Sequence, residues 1–433
     1  MSVADIFKEF LNNLKVDNAE QVSLRYGEIT KSLNQKFRSS ESTTANTLQV
    51  GSYGRYTGIK GISDLDMLYI MPKSKWDTYK NGKQSQLLTD VKDAIKVRYP
   101  KTDVRVDRLV VTVTYQNFHV EVQPVFEETG DDGESYFQYP DTYNGGSWKV
   151  TKPRQEMKAV KDLNEQKNKN LRLLCKMARA WRNKHGVAMG GLLIDTLAFN
   201  FLKSTTEYDD KGYVYFDWLS RDFFKYLSEL PDQDHYKAPG SNQNVKVKKK
   251  FQKKAKDAYE LCLAAIKAEG NGNVNAKWKM VYGRHFPASI VVEESVSKAL
   301  GTWRNTEQFI EDTYSVDIKY NFEIDCSVHQ NQGLPKSLRG MLANGFGISN
   351  NKKLIFKVKN HDIPGHFFVK WKILNVGAEA ERRDCIRGEI DIPNYEGSSR
   401  KETADFKGVH LAECYAIQNG VVVARDQIQV PIL

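Results

Sequence analysis

Asp64 and Asp66 stand two residues apart in the run Ser63-Asp64-Leu65-Asp66-Met67-Leu68-Tyr69-Ile70. Side chains alternate along a strand, so both carboxylates leave the same face. The residues after them are apolar, which predicts a central, rigid strand. Shortly before it comes Gly51-Ser52-Tyr53-Gly54-Arg55. A short Gly-Ser turn can offer backbone N–H groups and a hydroxyl to a phosphate. Hard carboxylate oxygens suit Mg²⁺, which keeps several waters and shares phosphate oxygens. Two such ions can help a hydroxyl lose its proton, make an α-phosphorus electrophilic and stabilise a leaving pyrophosphate. The chemistry these residues allow is nucleotidyl transfer.

A third acid would complete the site. Glu121 is the best candidate, on the polar face (His119, Glu121, Gln123) of a strand whose other face carries Val120 and Val122. Asp103 and Asp107 are weaker rivals. His119 reads as a supporting residue rather than a base, because the metal already does that work. Gly51 and Ser52 would hold the terminal phosphates. Arg172, Lys176 and Arg179 lie at spacings of four and three on one helix face and would neutralise the leaving pyrophosphate, with Lys176 favoured by position. An isolated Asp-x-Asp is more often a turn or a cap than a metal site, and a lone Gly-Ser turn is equally weak. The order of turn, Asp-x-Asp strand and acidic strand is what carries the signal.

These residues need a scaffold. The chain has 433 residues, 40% hydrophobic and 27% charged, and so holds two to three domains with a sizeable core. Its 64 Lys and Arg against 54 Asp and Glu give +10, a balance that suits polyanions. Residues 1 to about 40 read as helical from the stripe Ile6, Phe7, Phe10, Leu11 and Leu14. A strand block is expected over 104–115, a turn at Gln116-Asn117, a return strand over 118–126 with Pro124 at an end or edge, and a loop over 131–147. Pro153 opens a helical region, followed by helices near 192–202, 217–230 and 247–268. The basic run 246–254 reads as a solvated helix face. The Asn419-Gly420 pair predicts a type I′ hairpin between 410–417 and 421–425, and Ile428, Val430 and Ile432 predict one more strand. The expected layout is a catalytic core with its N-terminal helix over 1–150, a helical lobe over 151–290, a connector over 291–329 and a β-sandwich over 330–433.

The residues that carry chemistry resemble the signature of the polymerase-β nucleotidyltransferase superfamily: a Gly-Ser turn, an acid-x-acid strand and a third acid. Within it, the sequence is most similar to the bacterial CD-NTases (the SMODS family, related to cyclic GMP–AMP synthase). Val120-Glu121-Val122-Gln123-Pro124-Val125-Phe126 looks like their third-acid strand. Trp148 to Pro153 and Leu171 to Trp181 resemble the entry to their helical half, and Trp278 to Pro287 a motif near its end. Trp371 to Gly377, Ile386-Arg387-Gly388 and Gly408-Val409-His410 resemble the AGS-C sensor domain fused to some members. The resemblance implies an α+β fold: a polymerase-β-like core with a helical lobe and a C-terminal β-sandwich. It implies a Mg²⁺-dependent synthase using two ions, with Asp64, Asp66 and Glu121 as catalytic and metal ligands and Gly51, Ser52, Arg172 and Lys176 at the nucleotide. The product would be a cyclic di- or trinucleotide made from ATP and/or GTP, an antiphage (CBASS) second messenger read by a separate effector protein. The sensor domain would answer an activating ligand that the sequence does not identify. Glu121 stands where aspartate is commoner, and its extra methylene also allows Mn²⁺. A Cys/His zinc insert like that of the animal DNA sensor is missing, so activation by double-stranded DNA through such an insert is not expected.

Two other readings stay open on the residues alone. One is a linear oligonucleotide synthase, with the same fold and acids. The other is a non-catalytic nucleotide or phage-component sensor, although crowded carboxylates cost stability unless a metal neutralises them. The five cysteines, at 175, 262, 326, 385 and 414, show no metal or disulfide spacing, which suits a reducing cytoplasm. Neither a secretory signal nor a membrane span is expected.

Overall fold

The structure is a computed structural model that describes residues 2–61, 63–116, 118–288, 307–329, 334–375, 378–382 and 387–433. The chain divides into two compact units: Met1–Ala180 with Gly190–Val247, and Trp181–Met189 with Lys248–Leu433.

In the first unit, α1 (Val3–Asn13) opens with a capping box: the Ser2 hydroxyl accepts from the Asp5 N–H while the Asp5 carboxylate takes the Ser2 N–H. The apolar stripe Ile6, Phe7, Phe10 and Leu11 is buried as expected. The single helix expected over 1–40 is two, however, with α2 spanning Ala19–Arg38. Asp17 and Asn18 lie at the break, where short polar side chains compete with helical hydrogen bonds. Then follow β1 (Thr47–Gln49), the one-turn α3 (Gly51–Gly54), β2 (Asp64–Ile70), α4 (Trp76–Tyr79), α5 (Gln84–Arg98), β3 (Asp103–Val106), β4 (Val111–Thr114) and β5 (His119–Thr129). Asn117, half of the expected turn, lies outside the described residues.

The sheet runs β1-β2-β5-β4-β3, with β2 and β5 parallel. Two further strands, β6 (Ser135–Asp141) and β7 (Ser147–Thr151), extend it from the far half of β5. They take about half of the loop expected over 131–147, because Phe137 is fully buried against Leu68 and Val125. Pro124 is central rather than at an edge. It falls where the antiparallel neighbour of β5 changes from β4, paired through Val122, to β6, paired from Phe126. Its missing N–H lies in that gap. One face of the sheet packs Leu65, Met67, Tyr69, Val120 and Val122 against α2 and α5. Behind it run α6 (Pro153–Gln166, with Pro153 in its first turn), α7 (Asn170–His185), α8 (Gly191–Lys203), α9 (Phe216–Glu229) and the hairpin of β8 (His235–Lys237) and β9 (Asn244–Lys246). The unit boundary falls within α7.

The second unit begins with α10 (Gln252–Lys267) and α11 (Val274–Tyr282), which were expected in the helical lobe. The helix starts at Gln252 rather than 247, so Lys248, Lys249 and Lys250 precede it. Trp278 and Tyr282 of α11 stack with each other and with Phe286, which follows the helix. Its strands are β10 (Ser315–Val316), β11 (Phe322–His329), β12 (Lys336–Ser337), β13 (Lys353–His361), β14 (Phe368–Leu374), β15 (Ile390–Asp391), β16 (Arg400–Thr403), β17 (Gly408–Gln418) and β18 (Val421–Ile432). One sheet runs β10-β18-β17-β14-β15 and the other β12-β11-β13-β16. Both feed one apolar cluster that includes Ile324, Val328, Phe356, Trp371, Cys414, Val423 and Ile428.

Part of the connector expected over 291–329 is therefore wrong. Phe322, Ile324, Cys326 and Val328 alternate, all buried, as β11; residues 291–306 lie outside the described set. Asn419 and Gly420 both take positive φ, 52° and 77°, as the predicted hairpin requires. The two strands expected after that turn are one, β18, with a register shift opposite Ala416/Ile417. Cys175, Cys262, Cys326 and Cys414 are all buried. Trp371 is 1% exposed at the centre of the shared cluster, and its Nε1 donates to the Ser398 carbonyl at 2.8 Å. Trp371→Ala should destabilise the second unit by about 3–5 kcal/mol; a chemical denaturation curve that stays unshifted would contradict the shared core.

Candidate active site

The parallel ladder of β2 and β5 pairs Asp64 with His119, Leu65 with Val120, Asp66 with Glu121 and Met67 with Val122. The apolar members face the core, so Asp64, Asp66, His119 and Glu121 share the opposite face, and all four are half-buried. Further along that face the residues turn apolar, with Leu68, Ile70 and Val125 packed together. The polar patch is thus confined to the N-terminal ends of two neighbouring parallel strands.

Asp64, His119 and Glu121 each bring one potential ligand atom, all within 4.8 Å of one another. His119 Nε2 is 3.6 Å from Glu121 Oε1, and Ser63 Oγ donates to Asp64 Oδ1 at 3.0 Å. Asp66 lies on the other side, against α3. The Val50 N–H donates to the Asp66 carbonyl at 3.0 Å, and a Cβ built at Gly51 would overlap the Asp66 carboxylate. Gly51 also takes φ +63°, so both its backbone and its neighbour demand glycine. The expected ligand trio was Asp64, Asp66 and Glu121. Asp64 and Glu121 do come together, with His119 as the third of the group, and Asp66 is the ladder neighbour of Glu121 on the same face. Two carboxylates and an imidazole are a donor set that fits a divalent cation.

The Gly-Ser turn is the one-turn helix α3. The Ser52 carbonyl accepts from the Thr57 and Gly58 N–H groups at 2.9 and 3.1 Å, which fixes the chain leaving the turn. Arg55, next in sequence, is only 5% exposed. Its Nε donates to Asp195 Oδ2 at 2.8 Å, and its Nη1 lies 3.7 Å from Glu156. Thr57 Oγ1 donates to the same Asp195 oxygen at 2.9 Å, while Arg179 Nη1 and Nη2 meet Asp195 at 2.5 and 3.0 Å. Burial alone would push the Asp195 carboxyl up, but the Arg179 and Arg55 guanidiniums hold it down, at about 2. Burial raises Glu156, against the pull of Arg55 and a hydrogen bond from Ser241.

Arg179 was expected to neutralise pyrophosphate. It is instead buried at 3% exposure and bound to Asp195, because Asp195 sits fully buried on α8 and needs cations beside it. Arg172, two turns earlier on α7, donates its Nε to the Arg55 carbonyl at 3.1 Å and lies 4.8 Å from the Tyr56 ring centre. Lys176 lines a cavity of about 420 Å³ with Lys8, Lys15, Glu9 and Tyr213, whose walls include none of the three expected acids. Burial pushes its ammonium pKa down, and the cations Arg172, Lys15 and Arg179 push the same way. Asp103 lies on the edge strand β3, and Asp107 accepts from Thr112 Oγ1 at 2.6 Å. The sequence reading missed Asp195, Glu156 and the roles of Arg55 and Thr57. The available signal was an aspartate inside the apolar run Leu192 to Leu197, which a soluble fold tolerates only with a partner.

Residues 1–164 match the family described as the Second Messenger Oligonucleotide or Dinucleotide Synthetase domain, SMODS. Residues 304–433 match the Adenylyl/Guanylyl and SMODS C-terminal sensor domain, AGS-C. A Bacillus cereus (strain VD146) protein named as the probable cyclic nucleotide synthase IK1_05630 is 20% identical over 279 residues, 55% of this chain and 81% of that protein. The fold is similar to that of CdnC from E. coli MS115-1, solved as a CdnC:HORMA-deltaN complex, with TM-score 0.51 and 14% identity over 66% of this chain and 98% of that one. Among the described residues, no helix is long and apolar enough to cross a membrane.

Asp195 has its carboxyl pKa lowered on folding, so the unfolded chain takes up the proton first as pH falls below about 4. The stabilisation is complete above that pH and disappears as pH drops through about 2. It should amount to roughly 2 kcal/mol. Asp195→Asn should cost roughly 3–5 kcal/mol at neutral pH, since it leaves two guanidiniums facing a neutral amide, and should flatten the acid limb of the stability curve. Urea melts between pH 2 and 7 give both readouts; an unchanged acid limb would count against the buried pair.

Proposed function

We propose that this chain, which belongs to the bacterial CD-NTases by its SMODS domain and carries a C-terminal AGS-C sensor domain, joins ATP and/or GTP into a cyclic di- or trinucleotide. The observation that carries this reading is the register of β2 and β5, which sets Asp66 beside Glu121 and Asp64 beside His119 on one face, next to Gly51 and Ser52. The name of the Bacillus cereus relative, a probable cyclic nucleotide synthase, supports a cyclic product.

In this reading Asp64, Asp66 and Glu121 would hold divalent metal, Mg²⁺ or Mn²⁺, in the two-ion arrangement such carboxylates support. Bound there, the metal would acidify the attacking hydroxyl and offset charge on the leaving pyrophosphate. Ser52 and the backbone at Gly51 would orient the terminal phosphates. The anchoring of Ser52 by Thr57 and Gly58 keeps that cradle in place. Arg172 and Lys176, one turn apart on α7, would add positive charge for the phosphate tail. The crowding of Lys176 by Arg172 and Lys15 is the kind of repulsion that an anion relieves. The sandwich of the second unit would receive the activating signal, and the product would act on a separate effector in antiphage defence.

Incubation with the four nucleoside triphosphates and Mg²⁺ or Mn²⁺ should give, by mass spectrometry, a product that survives phosphatase. A phosphatase-sensitive ladder would make the chain a linear synthase instead. Asp64→Asn and Asp66→Asn should each lower pyrophosphate release on the order of a thousandfold, and Glu121→Gln nearly as much. Gly51→Ala should join them, because it displaces the Asp66 carboxylate. Near-normal release by either aspartate variant would overturn the assignment.

A further inference from the structure

We infer that His119 supplies a nitrogen ligand to the divalent cation, beside Asp64 and Glu121, and that this site therefore favours Mn²⁺ over Mg²⁺. The inference rests on the metal-dependent reading above and names a donor that the carboxylate pattern does not contain.

Two observations carry it. First, Asp64, His119 and Glu121 converge to within 4.8 Å, atom to atom, and the His119 Nε2 to Glu121 Oε1 distance is 3.6 Å. Donors bound to one cation at about 2.1–2.2 Å lie roughly 3–4 Å apart, so small side-chain movements complete such a set. Second, the imidazole is held there by the fold. Its Cα partner is Asp64 in the parallel ladder and Thr114 in the antiparallel one, and its side chain is only 13% exposed against 32% for Glu121.

Mg²⁺ is hard, demands near-octahedral oxygen donors and sheds water reluctantly. An imidazole nitrogen is a softer donor that suits first-row transition ions, the series that Mn²⁺ opens, better than it suits Mg²⁺. Glu121, longer than aspartate, lets its oxygen follow the larger ion. The chain thus combines a nitrogen donor and a flexible carboxylate where a magnesium site would use oxygens alone.

Mn²⁺ alone, added to the full-length protein without nucleotide, is the probe. Pulsed EPR of bound Mn²⁺ should show the modulation of a directly bonded imidazole nitrogen. His119→Gln, which keeps polarity and length but removes the ring nitrogen, should abolish that modulation. It should also lower the Mn²⁺ affinity, titrated by the free-ion EPR signal, by about tenfold while leaving Mg²⁺ competition nearly unchanged. His119→Asp should shift the preference toward Mg²⁺. No nitrogen modulation in the unsubstituted protein, or an unaltered Mn²⁺ to Mg²⁺ ratio in a His119→Gln protein whose circular dichroism shows it folded, would overturn the inference. Should His119→Gln not fold, the spectrum of the unsubstituted protein still decides. Asp64→Asn separates the two levels of the argument. If it weakens Mn²⁺ binding but nitrogen modulation is never seen, the metal site stands and only the role of His119 fails. If Mn²⁺ binding survives both Asp64→Asn and Glu121→Gln undiminished, the metal-dependent reading fails with it.

Discussion

The first unit depends on the parallel register between β2 and β5. Because the side-chain period of a strand is two, a slip of one residue would carry Asp64 and Asp66 into the core and bring Leu65 and Met67 out. The opposite face prevents it. Leu65, Met67, Tyr69, Val120 and Val122 are buried against α2 and α5, and burying each such side chain contributes about 1.5–3 kcal/mol. Against this stands the mutual repulsion of the carboxylates, on the order of 4 kcal/mol for a pair 4 Å apart near a protein surface. The apolar face outweighs that repulsion. It holds a charged cluster in a geometry that the acids would not choose for themselves, and a bound cation would relieve the repulsion that is left.

A second constraint sits behind the turn. α3 is a single helical turn and has little intrinsic stability. Its C-terminal neighbour Arg55 is pinned by Asp195 on α8 and by Glu156 on α6, and the Arg55 carbonyl is taken by Arg172 on α7. Buried ion pairs add little net stability, because desolvation offsets most of the attraction. What they add here is direction: a charge at Arg55 has few acceptable positions, so the turn that precedes it has few as well. Three helices thereby help to position the turn, and its backbone is set by side chains well away from it in sequence.

The legible parts were those where one local rule decides. Period-two alternation marked β2 and β5, Asn419-Gly420 marked the hairpin, and Pro153 marked the start of α6. The illegible parts needed long-range partners. β6 became a strand because Phe137 finds Leu68 and Val125 across the sheet, and nothing between residues 131 and 147 announces that. β11 was different: Phe322, Ile324, Cys326 and Val328 alternate cleanly, and the charged residues around them masked a period that was there to see. Arg179 shows the same limit at the site. Its spacing from Arg172 and Lys176 placed it on their face, and a spacing of seven does stay within about 20° of line on a helix, but the buried Asp195 captured its guanidinium.

The two aspartates make the final point. In sequence they are a matched pair, two residues apart on one strand face, and a pattern treats them as equivalent. The fold does not. Asp64 is grouped with His119 and Glu121 and takes a hydrogen bond from Ser63, while Asp66 abuts Gly51, where any side chain larger than hydrogen would displace it. The asymmetry arises from the turn: Gly51, with φ +63° and no Cβ, brings α3 up against one carboxylate and not the other. Asp66 is therefore the acid that joins the sheet to the Gly-Ser turn, and Asp64 the acid that lies with the imidazole. Any two cations held here would therefore meet different neighbours.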